Sequence, residues 1–489
     1  MSAQFFDLST LDGKNGFIIP GEKDDNLGYS VSSTGDINGD GIGDLVIGSP
    51  LSDPDGKSNA GVTYVIFGST EGFDLTLNPS TLGTKGFVIN GDQAGDQSGR
   101  SVSNIGDING DGVDDLAIGA PFSGINGDDS GAAYIIFGSK QSDYFSNPIE
   151  LSDLGSKGLI IKGSNSAHNA GWAVSGAGDF NGDGINDLLI GATNRGDNRN
   201  GESYVIFGKE GGFSSTIDLS NIGLNDGLKI ISDDLNNLGY SVSDAGDINQ
   251  DGIDDLIIGA PYADPDGNNS GISYVIYGRR IDTENPITEN TINVSHLDSN
   301  NDFTGFTING QNEDQSGFFV SKAGDINGDG IADLIIGARD GNPNDKEFAG
   351  SAYVVFGKQG DMGDNFNLSV LNGIAASDNA GWSVSDLGDI NDDGIDDIII
   401  GANNANSNSG QSYVIYGSKN GFSSTFELSN LNGTNGFIIS GIAENGNLGH
   451  SVSDGLSAFN SSSDLLINVT GMTGTIATGL LTTNNYFSV

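Results

Sequence analysis

The chain has 489 residues, 66 of them acidic and 19 basic, for a net charge of −47, and it contains no cysteine. Phosphate backbones and anionic lipid surfaces repel such a surplus of carboxylates, which sets nucleic acid aside as a partner. Disulfides, thiolate metal sites and cysteine nucleophiles are excluded outright.

The chain opens on Phe5-Phe-Asp-Leu-Ser9, a short strand phrase, and Met1 to Leu11 shows neither the basic nor the apolar region of a secretory signal. Nowhere does an apolar run approach the roughly 18–20 residues that span a bilayer, so no membrane insertion is expected. A repeat then begins. Its acidic core starts at Asp36, Asp107, Asp179, Asp247, Asp325 and Asp389, at successive spacings of 71, 72, 68, 78 and 64 residues. The fourth copy reads Leu238-Gly-Tyr-Ser-Val-Ser243, then Gly246 to Pro261 through the acidic core and the run Asp255-Leu-Ile-Ile-Gly-Ala260, then Gly271-Ile-Ser-Tyr-Val-Ile-Tyr-Gly278. A seventh copy starts at Leu448-Gly-His-Ser-Val-Ser-Asp454, with its acidic core decayed to Ser457-Ala-Phe-Asn-Ser-Ser-Ser-Asp464.

Each unit holds three or four strand candidates: Ser-Val-Ser, an Asp-Leu-Ile-Ile-Gly-Ala run apolar on both faces, a Tyr-Val-Ile-Phe run, and Phe-Asp-Leu-Ser. Gly, Asn, Asp and Pro clusters separate them, and helical periodicity is absent. Units of about four strands that cannot bury both faces alone are the material of an all-β propeller. The expectation is one domain, 1–489, with seven four-stranded blades at about 16–80, 86–152, 158–221, 227–298, 305–370, 371–430 and 436–489. Residues 5–9, a fourth-strand phrase with no blade before it, would complete the last blade and close the ring.

Each of the six loops follows Asp-x-Asn-x-Asp-Gly-x-x-Asp. Oxygens at positions one, three and five converge on one ion if the chain curls around it, and Gly at six permits the turn. Position seven supplies its carbonyl, so its side chain is free to be apolar. An EF-hand closes on Glu at position twelve; here that residue is a strand Ile (Ile47, Ile118, Ile190, Ile258, Ile336, Ile400), so the ninth residue closes the site. The predicted ligands are Asp36, Asn38, Asp40, Ile42 and Asp44; Asp107, Asn109, Asp111, Val113 and Asp115; Asp179, Asn181, Asp183, Ile185 and Asp187; Asp247, Asn249, Asp251, Ile253 and Asp255; Asp325, Asn327, Asp329, Ile331 and Asp333; and Asp389, Asn391, Asp393, Ile395 and Asp397. All-oxygen ligation with several carboxylates selects calcium over zinc or copper. Six calcium ions would take the charge from −47 to −35.

The Phe-Gly phrases (Phe67-Gly68, Phe137-Gly138, Phe207-Gly208, Phe356-Gly357) and Gly-Ala-Pro phrases (Gly119-Ala-Pro121, Gly259-Ala-Pro261), with the acidic loop between strands, resemble the FG-GAP repeat family, which includes the integrin alpha propeller. The resemblance covers essentially the whole chain. It implies seven blades, calcium in the loops between first and second strands, and ligands on the opposite face. Six acidic loops exceed the three or four usual in integrin alpha chains, and the cysteines and membrane helix of those chains are missing here.

The residue opening each innermost strand, at the end away from the acidic loop, is Tyr29, Arg100, Trp172, Tyr240, Phe318, Trp382 or His450, a set that holds both tryptophans of the chain. In a propeller these would ring the mouth of the channel, either as a packed plug or as a surface for a cation or a sugar. The resemblance implies an aromatic cage for a basic residue of a partner subunit. His168 and His296 sit in polar stretches and are expected to be exposed. No nucleophile elbow, phosphate loop or metalloprotease pattern occurs. The functional expectation is a non-enzymatic, calcium-binding interaction or cell-adhesion module, extracellular, at the cell surface or periplasmic, because calcium there fills weak sites. It would act as a monomer or part of a larger assembly, with a protein or glycan ligand. The alternatives are a calcium-dependent glycan-binding protein and a propeller hydrolase or lyase.

Overall fold

In the computed structural model, residues 5–454 are described apart from 13–15, 142, 146–147, 195–199, 235, 298–302, 364–365 and 444, together with 464–469 and 477–482. Six sheets are built alike from consecutive antiparallel strands. Blade one consists of Ser30–Gly35, Asp44–Ser49, Val62–Ile66 and Gly86–Asn90, and blade two of Ser101–Asn104, Leu116–Ala120, Ala132–Ile136 and Gly158–Lys162. Blade three is Ala170–Gly176, Leu188–Ala192, Glu202–Ile206 and Gly227–Ile231, and blade four is Ser241–Gly246, Asp255–Ala260, Ile272–Ile276 and Gly305–Asn309. Blade five is Ser316–Gly324, Asp333–Ala338, Ser351–Phe356 and Asn367–Asn372, and blade six is Ser383–Gly388, Asp397–Ala402, Gln411–Ile415 and Gly436–Ser440.

The expectation of seven four-stranded blades, the last completed by the N-terminal strand, is corrected here. The described residues form six blades of four or five strands, and the remaining sheet has three: Val452–Asp454, Asp464–Val469 and Ala477–Thr482. Phe5–Asp7 does not enter that sheet. It runs parallel to Gly436–Ser440 on the outer edge of blade six, with Phe6 opposite Ile439. Ile149–Glu150 takes the same place on blade one, Thr216–Asp218 on blade two, Thr291–Asn293 on blade three and Thr425–Glu427 on blade five. The Phe-Asp-Leu-Ser phrase is thus a fifth strand laid on the preceding blade. The fourth strand is the Gly-Phe-x-Ile phrase that follows it in the chain, so Gly86–Asn90 belongs to blade one rather than to the next unit. The decayed acidic core from Ser457 to Ser463 lies outside the described residues.

The innermost strands lie side by side in chain order, and Val452–Asp454 sits between those of blades six and one. The cores lie between blades: Val46, Val65 and Phe87 of blade one pack against Ile118, Tyr134 and Ile136 of blade two. Second strands are buried on both faces along their whole length, as their unbroken apolar runs require. The blades approach so closely there that the Gly of each Gly-Ala-Pro phrase has no room for a side chain. A Cβ on Gly119 would stand 2.1 Å from the Gly171 carbonyl oxygen of the next blade, and one on Gly259 would stand 2.1 Å from that of Gly317.

Candidate functional site

The innermost strand of each blade joins two features. Its start lies on a ring of large side chains, and its end enters the acidic loop. A strand of six residues such as Ser30–Gly35 separates the two by about 20 Å.

The six acidic loops share one hydrogen-bond plan. The Asp36 carboxylate accepts from the amides of Asp40 (2.9 Å) and Gly41 (2.7 Å), and Asp40 Oδ1 accepts from the Ile42 amide at 2.9 Å. The same pairs recur from Asp107, Asp179, Asp247, Asp325 and Asp389. Position nine behaves differently. Asp44, Asp115, Asp187, Asp255, Asp333 and Asp397 are each 0% exposed. Each accepts at 2.8 Å from the amide of the Gly that ends the third-strand phrase: Gly68, Gly138, Gly208, Gly278, Gly357 and Gly417. That contact explains the Phe-Gly signature. A Cβ on Gly138 would stand 2.2 Å from the Asp114 carbonyl oxygen, so a larger residue would push the amide off the carboxylate.

Burial first, and then the neighbouring loop carboxylates, raise the acids of Asp44, Asp115, Asp255, Asp333 and Asp397 to about 8, and the same causes hold Asp187 well above the ordinary value. Among the described residues no three His, Cys, Asp or Glu side chains close on a common point. The donor set of each loop is nonetheless all oxygen, with three carboxylates and one amide oxygen per loop. That chemistry fits a hard divalent cation.

Position eight was missed from sequence. Asp114, Asp254 and Asp396 reach across to the preceding blade and accept from the amides of Asp36, Asp179 and Asp325 at 3.0, 2.8 and 2.7 Å. Adjacent loops are thereby tied in pairs.

At the other end the seven expected residues do form one continuous ring. His450 lies 5.0 Å from Tyr29 and 5.7 Å from Trp382, Trp382 lies 5.3 Å from Phe318, and Tyr240 is 5.0 Å from Phe318 and 5.7 Å from Trp172, centroid to centroid. Arg100 fills the remaining gap, its guanidinium 4.9 Å from the Tyr29 ring and 4.1 Å from that of Trp172. A second cation was not foreseen. Arg339 stands where three other blades have Pro50, Pro121 and Pro261, and it lies 3.7 Å over Phe318 and 4.7 Å over Trp382. The break in the Gly-Ala-Pro phrase at Gly337-Ala-Arg339 was the available signal. Beneath the ring runs a cavity of about 630 Å³ lined by the innermost strands.

His168 is a correction: it is 1% exposed, not on the surface. It takes the position held by Asp96, Asp314 and Asp378 in other blades. Glu202 supplies the carboxylate instead, 2.8 Å from His168 Nε2 and accepting from Tyr204 at 2.6 Å and Lys229 at 2.6 Å. These donors outweigh burial and lower the Glu202 acid to about 2. His296 is exposed, beside Asp233.

With this geometry in hand, a family comparison matches the FG-GAP repeat at residues 27–66, 98–136, 170–206, 239–276, 317–355 and 380–415. The chain carries six FG-GAP repeats. Each matched FG-GAP span runs from just before the ring position to the third strand, so it contains one acidic loop. The chain is similar to phosphatidylinositol-glycan-specific phospholipase D of Bos taurus, 36% identical over 170 residues, which is 34% of this chain and 18% of that protein. It is similar to integrin alpha-PS2 of Drosophila melanogaster, 33% identical over 172 residues, 34% of this chain and 11% of that one. It is also similar to integrin alpha pat-2 of Caenorhabditis elegans, 29% identical over 254 residues, 48% of this chain and 18% of that one. The matches thus span less than a fifth of each of these relatives. The fold is an integrin-alpha-like FG-GAP propeller. Among the described residues no helix is long and apolar enough to cross a membrane.

Proposed function

We propose that this FG-GAP propeller is a non-enzymatic, calcium-stabilised interaction module of the adhesion type, working outside the cell or at its surface. The observation that carries the reading is the fully buried ninth Asp of six loops, which accepts from neutral amides, faces further acids and, among the described residues, has no ion pair to a cationic side chain. Each calcium ion would be held by the side-chain oxygens of positions one, three, five and nine and by the carbonyl of position seven, and would neutralise the carboxylates gathered there. Calcium outside cells is abundant enough to fill weak oxygen sites, which supports the extracellular assignment. The adhesion assignment draws on the integrin alpha relatives. Their whole-protein partners, like the phospholipase activity named in the first relative, belong to proteins several times longer than the matched segments.

Recognition is assigned to the ring face, away from the loops. A second reading, calcium-dependent glycan binding, is favoured by the aromatic ring over an open cavity. The test is a melting curve in calcium and in chelator, followed by a calcium-dependent binding screen against matrix proteins and glycans. A melting temperature that rises with calcium, and ligand capture lost in chelator, are the expected results. Indifference of the melting temperature to chelator removes the metal from the reading, and a blank screen in calcium removes the recognition role.

A further inference from the structure

The aromatic ring has already received its cations from its own chain. The Arg100 guanidinium lies 4.9 Å from the Tyr29 ring and 4.1 Å from the Trp172 ring, so aromatic faces flank it and its N–H donors are left to bond. Among the described residues its guanidinium makes no hydrogen bond and no ion pair; only the backbone amide of Arg100 donates, to the Gln97 carbonyl at 3.2 Å. Arg339 is stacked over Phe318 and Trp382; its Nε meets Gln315 Oε1 at 3.2 Å and Asp340 Oδ1 at 3.5 Å, while its Nη atoms bond nothing described. Both side chains line the 630 Å³ cavity. In a chain of net charge −47, two half-buried guanidiniums thus meet at one cavity mouth.

We propose that this mouth is a carboxylate-binding site, in which the N–H edges of Arg100 and Arg339 hold the acid group of a uronic-acid sugar whose ring lies on the neighbouring aromatic faces. The proposal rests on the ring face being the recognition face and names its ligand class. A guanidinium flanked by aromatic faces, with N–H donors left to bond, is pre-organised as a planar fork, the geometry that matches a carboxylate. The aromatic neighbours supply apolar faces suited to a pyranose ring. A cavity of about 630 Å³ falls within the range of small-ligand sites and accommodates a sugar of one or two residues. A basic side chain from a partner, by contrast, would meet two cations where it needs bare rings.

The ring holds both tryptophans of the chain, Trp172 and Trp382, so tryptophan emission, excited apart from that of the 13 tyrosines, reads this site. The experiment titrates the full chain in calcium with trigalacturonate, its neutral methyl ester, oligoglutamate and oligolysine. Trigalacturonate should shift the emission saturably, and the ester, or the variants Arg100→Gln and Arg339→Gln, should weaken binding about tenfold or more. The melting temperature of both variants in calcium shows that they are folded. Equal affinity for acid and ester overturns the proposal, as does binding of oligolysine, or of oligoglutamate with no response to the sugar. Silent tryptophans beside calcium-dependent capture of some other ligand overturn the carboxylate site and leave the recognition module standing.

Discussion

The amide of Gly138 donates to the Asp115 carboxylate at 2.8 Å, across the 23 residues that separate the third-strand phrase from the acidic loop. The bond fixes a buried acid where a cation would neutralise it. Asp115→Asn keeps the shape and one acceptor oxygen but removes the charge. In chelator at a pH above about 8, where the parent acid is ionised, its melting temperature should equal or exceed that of the parent, because an uncompensated buried carboxylate is lost. In calcium it should lose the share of stabilisation due to one site, about 2.7 kcal/mol when calcium stands a hundredfold above Kd. Asp115→Ala should be destabilised even in chelator, by about 1–3 kcal/mol, since the Gly138 and Ile108 amides lose their acceptor. Calcium titrations monitored by thermal melting check all three, and a calcium response in Asp115→Asn equal to the parent's refutes the assignment of this residue.

Removing residues 1–10 should expose the edge of Gly436–Ser440 and leave the pocket of Ile399, Val414 and Ile439 without Phe6 and Leu8. A single change isolates the packing part. Leu8 is 2% exposed, and Leu8→Ala should cost about 2–5 kcal/mol. The truncated chain should in addition associate through the bared strand edge. Chemical denaturation and sedimentation of both variants separate lost packing from lost edge protection, and a Leu8→Ala chain as stable as the parent contradicts this account.

What was legible in the sequence follows a physical boundary. The loop backbone was readable because its hydrogen-bond plan is local: the carboxylates at positions one and five accept from amides at most five residues further on. The ring was readable because one position per repeat carries it. Strand pairing was harder. Gly86–Asn90 and Phe5–Asp7 are both short apolar runs, and nothing in their periodicity says which blade each joins, or that Phe5–Asp7 pairs in parallel with a partner more than 400 residues away. His168 was misplaced because polar neighbours suggest a surface. Its burial depends on Glu202, which is distant in sequence and adjacent only in the sheet.

His450 closes the ring between Tyr29 and Trp382, and burial followed by the Arg100 cation lowers its imidazole to about 4. An ordinary unfolded-state imidazole titrates near 6.5. Between those values the unfolded chain binds a proton that the folded chain does not, so stability present above about pH 6.5 is lost as pH falls toward 4. The carboxylates also titrate in that window, so the informative quantity is a difference. His450→Phe keeps an aromatic ring in place and cannot take up the proton. Its stability relative to the parent should rise on acidification from pH 7 to pH 4.5 and be flat above pH 7. A pH-independent difference between the two chains contradicts the assignment.

Phe348 is 40% exposed and has a φ of 54°, a left-handed conformation costly for an aromatic residue. The corresponding position in other blades, two residues before the glycine that opens the third strand, holds Asn59, Asp129, Asn269 and Asn408, all at positive φ. Asn and Asp tolerate that backbone because their short polar side chains bond locally. The amide of Phe348 donates to Asn342 Oδ1 at 2.8 Å and its carbonyl accepts from Asn379 at 3.0 Å, so main-chain contacts hold the turn whatever the side chain. Phe348→Asn should therefore stabilise the chain by about 1 kcal/mol in urea denaturation, with an unchanged m-value. If the substitution is destabilising instead, the phenyl ring makes contacts that outweigh the strain, and the exposed aromatic would be a fixed part of this blade's surface.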